Sequence, residues 1–225
     1  MQLAIKHNPA FAVVRATLGA GEQVKIEAGA MMAMSGGVQL ESKMEGGLKK
    51  GLMRSVLGGE SLFISTITGS KEGDWVDATQ RLPGDIAVID VNGVMNLTSG
   101  AWLLSGDGVD IDTKWGGFKN LMGGEGGFLI RATGTGQVVC ACYGAIETYD
   151  LAAGESIVLD SGHLVAYEDT LTYTTRKATS GFVQMLKSGE GLVFEFTGPG
   201  RVWAQTRNPQ ELVGWLTEEL PFTRE

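Results

Sequence analysis

The chain has 225 residues, 43% of them apolar, with 34 Gly, 5 Pro and a formal charge of -8 at pH 7. That apolar content is enough for a buried core and excludes a disordered polyelectrolyte, while the acidic balance repels a phosphate backbone and excludes general nucleic-acid binding. Length alone leaves one large β domain or two small ones open, and the Gly-rich, Pro-poor composition predicts short strands joined by tight turns.

The opening Met1-Gln2-Leu3-Ala4-Ile5-Lys6-His7-Asn8-Pro9 has no cationic start before an apolar core and no Arg-rich character, so neither a secretory signal nor a transit peptide is expected. Phe11 to Leu18 reads as a strand, Gly19 to Glu22 as its turn. Gln23-Val24-Lys25-Ile26-Glu27 then alternates polar with apolar residues, the period of a strand buried on one face. The same turn and strand are read again at Gly84 to Asp90 and at Gly154 to Asp160. In each, two acids stand five apart (Glu22 and Glu27, Asp85 and Asp90, Glu155 and Asp160) and fall on opposite sheet faces, so they form no catalytic pair.

Strand pairs follow from Gly29, Gly100 and Gly162 onward. Asn92-Gly93 predicts a hairpin in an insertion that spans Val91 to Ser99 of the middle copy. Each copy next passes through a segment mixing cations with apolar residues: Lys49, Lys50, Leu52, Met53 and Arg54; Trp115, Phe118 and Lys119; Phe182 and Lys187. In the first, the spacing of Leu48, Leu52 and Val56 predicts a short helical turn with one apolar side.

A Gly-Glu motif then recurs at Glu60, Glu125 and Glu190, 65 residues apart each time, and is followed by a strand and a Thr-Gly turn at Thr68, Thr133 and Thr197. Three copies of one supersecondary unit are the expectation, with residues 1–75, 76–146 and 147–207 as β repeats and 208–225 as a C-terminal helix and tail. That helix is signalled by Asn208 as N-cap, Pro209 at the first turn and Glu211 three residues after the cap. Its stripe of Leu212, Val213, Trp215, Leu216 and Leu220 is expected to pack over an open end of the β structure or against a neighbouring subunit.

Chemistry-bearing residues are sparse. His7 and His163 are the only histidines, and Cys140 and Cys142 stand two apart on one strand face, where a disulfide would strain extended backbone. Two free thiols in a reducing compartment are expected, with no zinc site, no catalytic constellation and no cofactor. The Gly-rich stretches lack the Lys-Ser/Thr ending of a phosphate-binding loop. Trp102, Trp115, Trp203 and Trp215 are read as core or subunit-contact residues. No window approaches the roughly 18–20 apolar residues of a membrane span, so a cytoplasmic protein is expected.

Thr206-Arg207-Asn208-Pro209 after a strand ending in Trp203, with Gly214-Trp215-Leu216, Leu220-Pro221 and the Gly-Gly-Glu repeats, resembles bacterial members of the "altered inheritance of mitochondria" biogenesis family. The resemblance covers essentially the whole chain. It implies a fold similar to the tryptophan RNA-binding attenuation protein: double-stranded β-helix or β-sandwich units, three per chain, with subunits forming rings. The eukaryotic relatives imply a role in organising the mitochondrial inner membrane. No tryptophan or RNA site carries over, because no motif for either is matched.

The expectation is therefore an all-β, non-catalytic scaffold that assembles as a homotrimer and meets a protein partner or a membrane surface through the cationic loops, with no nucleic acid and no identified small molecule. The alternative is a small-molecule or ion binder in which Glu60, Glu125 and Glu190 converge on a hard cation; the bland reading of those acids is a turn carboxylate accepting nearby backbone N–H groups.

Overall fold

The computed structural model of the chain describes residues 1–44, 63–98, 100–114, 129–176 and 193–221. Among them everything regular is β apart from a 3-10 turn at Ser161–His163 and one helix, α1 (Pro209–Glu219). The first strands are β1 (Gln2–Lys6), β2 (Val13–Leu18), β3 (Gln23–Glu27), β4 (Met31–Met34), β5 (Gln39–Met44), β6 (Phe63–Thr68) and β7 (Asp74–Ala78). Next come β8 (Ile86–Thr98), β9 (Trp102–Gly106), β10 (Val109–Lys114) and β11 (Leu129–Ala141). The last are β12 (Ile146–Leu151), β13 (Ser156–Asp160), β14 (Leu164–Glu168), β15 (Thr172–Arg176), β16 (Val193–Thr197) and β17 (Gly200–Gln205).

Side-chain alternation builds these strands. In β2, Val14, Ala16 and Leu18 are buried between half-exposed neighbours, and in β3 Val24 and Ile26 are buried in the same way. Turn chemistry sets their ends. The Glu22 carboxylate accepts from the Gly19 N–H at 2.9 Å while Gly21 takes a φ of 76°; the Glu155 carboxylate accepts from Ala152 N–H at 2.9 Å while Gly154 takes 82°.

Between Asp85 and Gln137 the chain departs from its expected reading. Asn92-Gly93 does not turn a hairpin, and the Thr133-Gly134-Thr135-Gly136 stretch is no turn either: β8 and β11 are 13-residue strands that run through both sites, with Gly93 opposite Gly134 and Asn92 opposite Thr135. Positive φ at Gly93, Gly134 and Gly136 bends the two strands together, so a glycine-kinked ribbon replaces two turns. A side chain on Gly134 would also meet the Gly108 carbonyl oxygen at 2.2 Å. Of the expected insertion from Val91 to Ser99, Val91 to Thr98 are the second half of β8, and Ser99 lies outside the described residues. The segment at Gly84 to Asp90 stands at the start of its strand set, as β2 does, and not in the place of β3.

The strands form three sheets, ordered β1-β2-β7-β4, then β12-β17-β14-β8-β11-β9-β3-β6-β5 with β10 on β11, then β13-β16-β15. Three apolar clusters fill the spaces between them. One centres on Trp102, Leu97 and Ile130, one on Leu18, Ile67 and Leu104, and one on Phe194, Phe196 and Val202.

Candidate functional site

The molecule is knit together by a recurring kind of edge pairing. β7, the C-terminal half of β11, and β17 each lie between two antiparallel partners: β2 and β4, β8 and β9, β12 and β14. In all three, the second pairing is bulged at one residue, Met32, Leu103 or Val165. A bulge sharpens the local twist and turns a strand toward another sheet. After it, β9 pairs with β3 (Leu104 opposite Ile26, Ser105 opposite Lys25, Gly106 opposite Val24), and β14 pairs with β8 (Ala166 opposite Leu97, Tyr167 opposite Asn96, Glu168 opposite Met95).

Both of these junctions are buried and cross-braced. Val24, Ile26, Leu97, Leu104 and Ala166 are fully buried. Lys25 Nζ donates to the Val109 carbonyl at 3.0 Å and to Asp110 at 3.1 Å; Asn96 Nδ2 donates to Asp169 at 2.9 Å, and the Thr98 hydroxyl lies 3.0 Å from the Leu164 carbonyl. Among the described residues, the strands in the corresponding places elsewhere have no such partner. β4 ends the first sheet and β13 ends the third. Met32 and Val158 are each 54% exposed, where Leu103 and Asn96 at the made junctions are 1%.

Between the same parts of the chain lies a cavity of ≈ 280 Å³ lined by Glu27, Gln80, Arg81, Cys142 and Gln205 among others. Gln80 Nε2 donates to the Cys142 carbonyl at 2.9 Å, and Gln80 Oε1 is buried with no hydrogen-bond partner among the described residues. Gln205 spans the wall, accepting from Tyr143 N–H at 2.9 Å and donating to the Gly162 carbonyl at 2.8 Å. Burial raises the Glu27 carboxyl above its usual range, against the opposing field of Arg81. Cys142 is a buried thiol pushed up to about 11 by desolvation, so it is a poor nucleophile there. Close by, Phe11, Gly84 and Gly144 are joined by two parallel bridges.

The residues singled out from sequence, Glu60, Glu125 and Glu190 with Lys49, Lys50, Leu52, Met53, Arg54, Trp115, Phe118, Lys119, Phe182 and Lys187, lie outside the described residues. Their segments leave from three hairpin ends whose last pairs are Met44 with Phe63, Lys114 with Leu129 and Arg176 with Val193. Of the tryptophans, Trp102 and Trp203 are core residues, Trp115 is outside the described residues, and Trp215 is 58% exposed. Of the two expected packings of α1, the one over an open end is not made among the described residues: Asn208 caps the helix through a 2.9 Å bond from Gln210 N–H, but no residue of the helix is buried, and Val213, Trp215 and Leu220 face outward. Cap and proline define the start of this helix locally. Sequence reading missed the cavity residues and foresaw open sheet edges without naming the strands. The apolar run Met31-Met32-Ala33-Met34, in a strand whose counterparts are buried, was the available signal for the latter.

Among the described residues, fold and site together define an all-β protein with one short C-terminal helix and no helix long and apolar enough to cross a membrane. The chain belongs to the mitochondrial biogenesis AIM24 family, which matches residues 3–207. It is similar to an uncharacterised protein of Streptococcus pyogenes serotype M6, 30% identical over 230 residues that cover 98% of this chain and 92% of the relative. It is also similar to a Streptococcus pyogenes protein of known crystal structure, with a TM-score of 0.81, 26% identity, and coverage of 97% of this chain and 99% of the other.

Proposed function

We propose that the chain is a non-catalytic cytoplasmic scaffold made of one β unit written three times, over residues 1–75, 76–146 and 147–207, which assembles into a ring-like homotrimer and offers its three loop segments to a protein partner or an anionic membrane surface. Each unit is a small sandwich of the kind found in the tryptophan RNA-binding attenuation protein. The observation that carries this reading is the recurrence of the bulge at Met32, Leu103 and Val165, together with the matching register of the two made junctions. Independent folds would not place one irregularity three times at the same distance from the same neighbours.

Charge divides the surface between the two kinds of partner. The first loop segment carries Lys49, Lys50 and Arg54 beside Leu52 and Met53, the composition that suits anionic headgroups. Helix α1 carries Glu211, Glu218 and Glu219 and no Lys or Arg, so its apolar residues suit a protein surface. Light scattering of the intact chain at micromolar concentration tests the assembly: the mass of three 23.8 kDa chains is expected, and the mass of one overturns it. Co-sedimentation with vesicles tests the membrane face. Pelleting that requires anionic lipid supports it, and equal recovery in the supernatant with and without that lipid leaves only the protein partner.

A second reading rests on the cavity. Gln80 Oε1, a buried acceptor, and Glu27, with Arg81 nearby, are suited to a small ligand that presents N–H donors.

A further inference from the structure

The two junctions that the chain makes define a rule precise enough to apply to the edges it leaves open. Counting from the bulge, Ala33, Met34 and Ser35 stand where Leu104, Ser105 and Gly106 stand in β9 and where Ala166, Tyr167 and Glu168 stand in β14. Counting from the outer pairings of the hairpins, Ile157, Val158 and Leu159 stand where Val24, Lys25 and Ile26 stand in β3 and where Met95, Asn96 and Leu97 stand in β8. At both made junctions these positions meet in a single register. The open edges carry the same two halves.

We propose that β4 and β13 are the halves of a third junction, completed by a second copy of this chain: β13 of one copy adds antiparallel to β4 of the next, with Val158 opposite Met34, Leu159 opposite Ala33 and Ile157 opposite Ser35. The inference rests on the assembly reading above and names its interface. Among the described residues β4 pairs only with β7 and β13 only with β16, which leaves the outer edge of each for a second copy.

Edge composition supports this independently. Proteins blunt free edges with charge, and β5, β10 and β12 carry Glu41, Asp110 with Asp112, and Glu147 with Asp150 within the strand. Strand β4 is Met-Met-Ala-Met with no charge at all, and β13 has only Asp160 at its end. Where Lys25 and Asn96 brace the made junctions with polar contacts, Val158 presents an apolar side chain to the apolar Met34. Because β4 and β13 are different surfaces, the contact is head-to-tail, and such contacts close into rings when the rotation permits.

Co-expression of two single variants, Met34→Cys and Val158→Cys, followed by mild oxidation, tests the interface. Directly opposed residues of an antiparallel pair lie within disulfide reach. A disulfide-linked dimer of chains is expected from the mixture and from neither variant alone. The pair Ala33→Cys with Leu159→Cys is run beside it, since neighbouring pairs alternate between wide and close spacing and either may serve if one variant fails to fold. No cross-link in either mixture overturns the proposal, as does an intrachain cross-link when both cysteines are placed in one chain. A wild-type chain that scatters as a monomer rejects the assembly itself, whereas an oligomer without these cross-links rejects only this interface.

Discussion

Arg15 and Asp77 face each other across β2 and β7 and are joined by two 2.7 Å hydrogen bonds, with the guanidinium also lying 3.9 Å over the Trp75 ring. The hydrogen bonds from Arg15 hold the Asp77 carboxyl below its usual range, and nearby Asp74 is held at about 2 by bonds from the hydroxyl and N–H of Ser70, from Ser35 and from Lys71 N–H. Both folded values lie below the ordinary 3.8, so the stability they contribute is complete above that value and is lost as pH falls through the folded values toward about 2. The melting temperature should be flat from neutral pH down to about pH 5 and then fall, and Asp77→Asn should flatten that acid limb while lowering the plateau. Thermal melts across this range check it.

Gly84 is where three parts of the chain meet. A Cβ there would lie 1.8 Å from the Cys142 carbonyl oxygen, an atom of the backbone that cannot swing aside. Gly84→Ala is expected to cost at least about 1–3 kcal/mol by overpacking. Gly29→Ala, at a site with open space but a φ of 88°, is expected to cost less. Denaturant titration of the two variants ranks them.

Phe196 is fully buried, with Tyr167, Tyr173 and Phe194 at ring-centroid distances of 5.1, 5.8 and 5.7 Å. These rings supply much of the third cluster, so Phe196→Ala should destabilise by about 3–5 kcal/mol. Tyr149→Ala, on the exposed face of β12, should change stability by no more than about 0.5 kcal/mol. The difference in unfolding midpoint reads the comparison.

Cys140 and Cys142 are free and buried, and desolvation pushes both thiols upward, Cys142 to about 11. The thiolate is the reactive form, so at pH 8 the native chain should resist alkylation and label at both cysteines only in denaturant. Rapid labelling of either under native conditions would show that the wall of the cavity opens far more readily than its packing implies.

Much of the β architecture was legible because strand alternation, the Gly-acid turns at Gly21 and Gly154, and the strand starts after Gly29, Gly100 and Gly162 are local signals. The misreading between Asp85 and Gln137 has one source, the ambiguity of glycine. Gly93, Gly134 and Gly136 take the positive φ that hairpins also use, but here they bend long paired strands, so Val91 onward reads as an insertion and Gly84 as the counterpart of Gly21. The cavity was out of reach for another reason: Glu27, Gln80, Cys142 and Gln205 are distant in sequence and meet only through sheet register. Helix α1 was legible to its cap, yet its lack of burial depends on tertiary contacts that no cap encodes.

The proposed junction requires that β4 and β13 be covered when copies of the chain assemble. Amide hydrogen exchange over a range of protein concentrations addresses it directly, since an edge amide exchanges quickly until a partner strand takes it up. The account predicts that segments 31–35 and 156–160 gain protection as concentration rises, approaching that of β9 and β14, while β1 and β12 stay unchanged. Fast exchange at 31–35 and 156–160 at every concentration would contradict it.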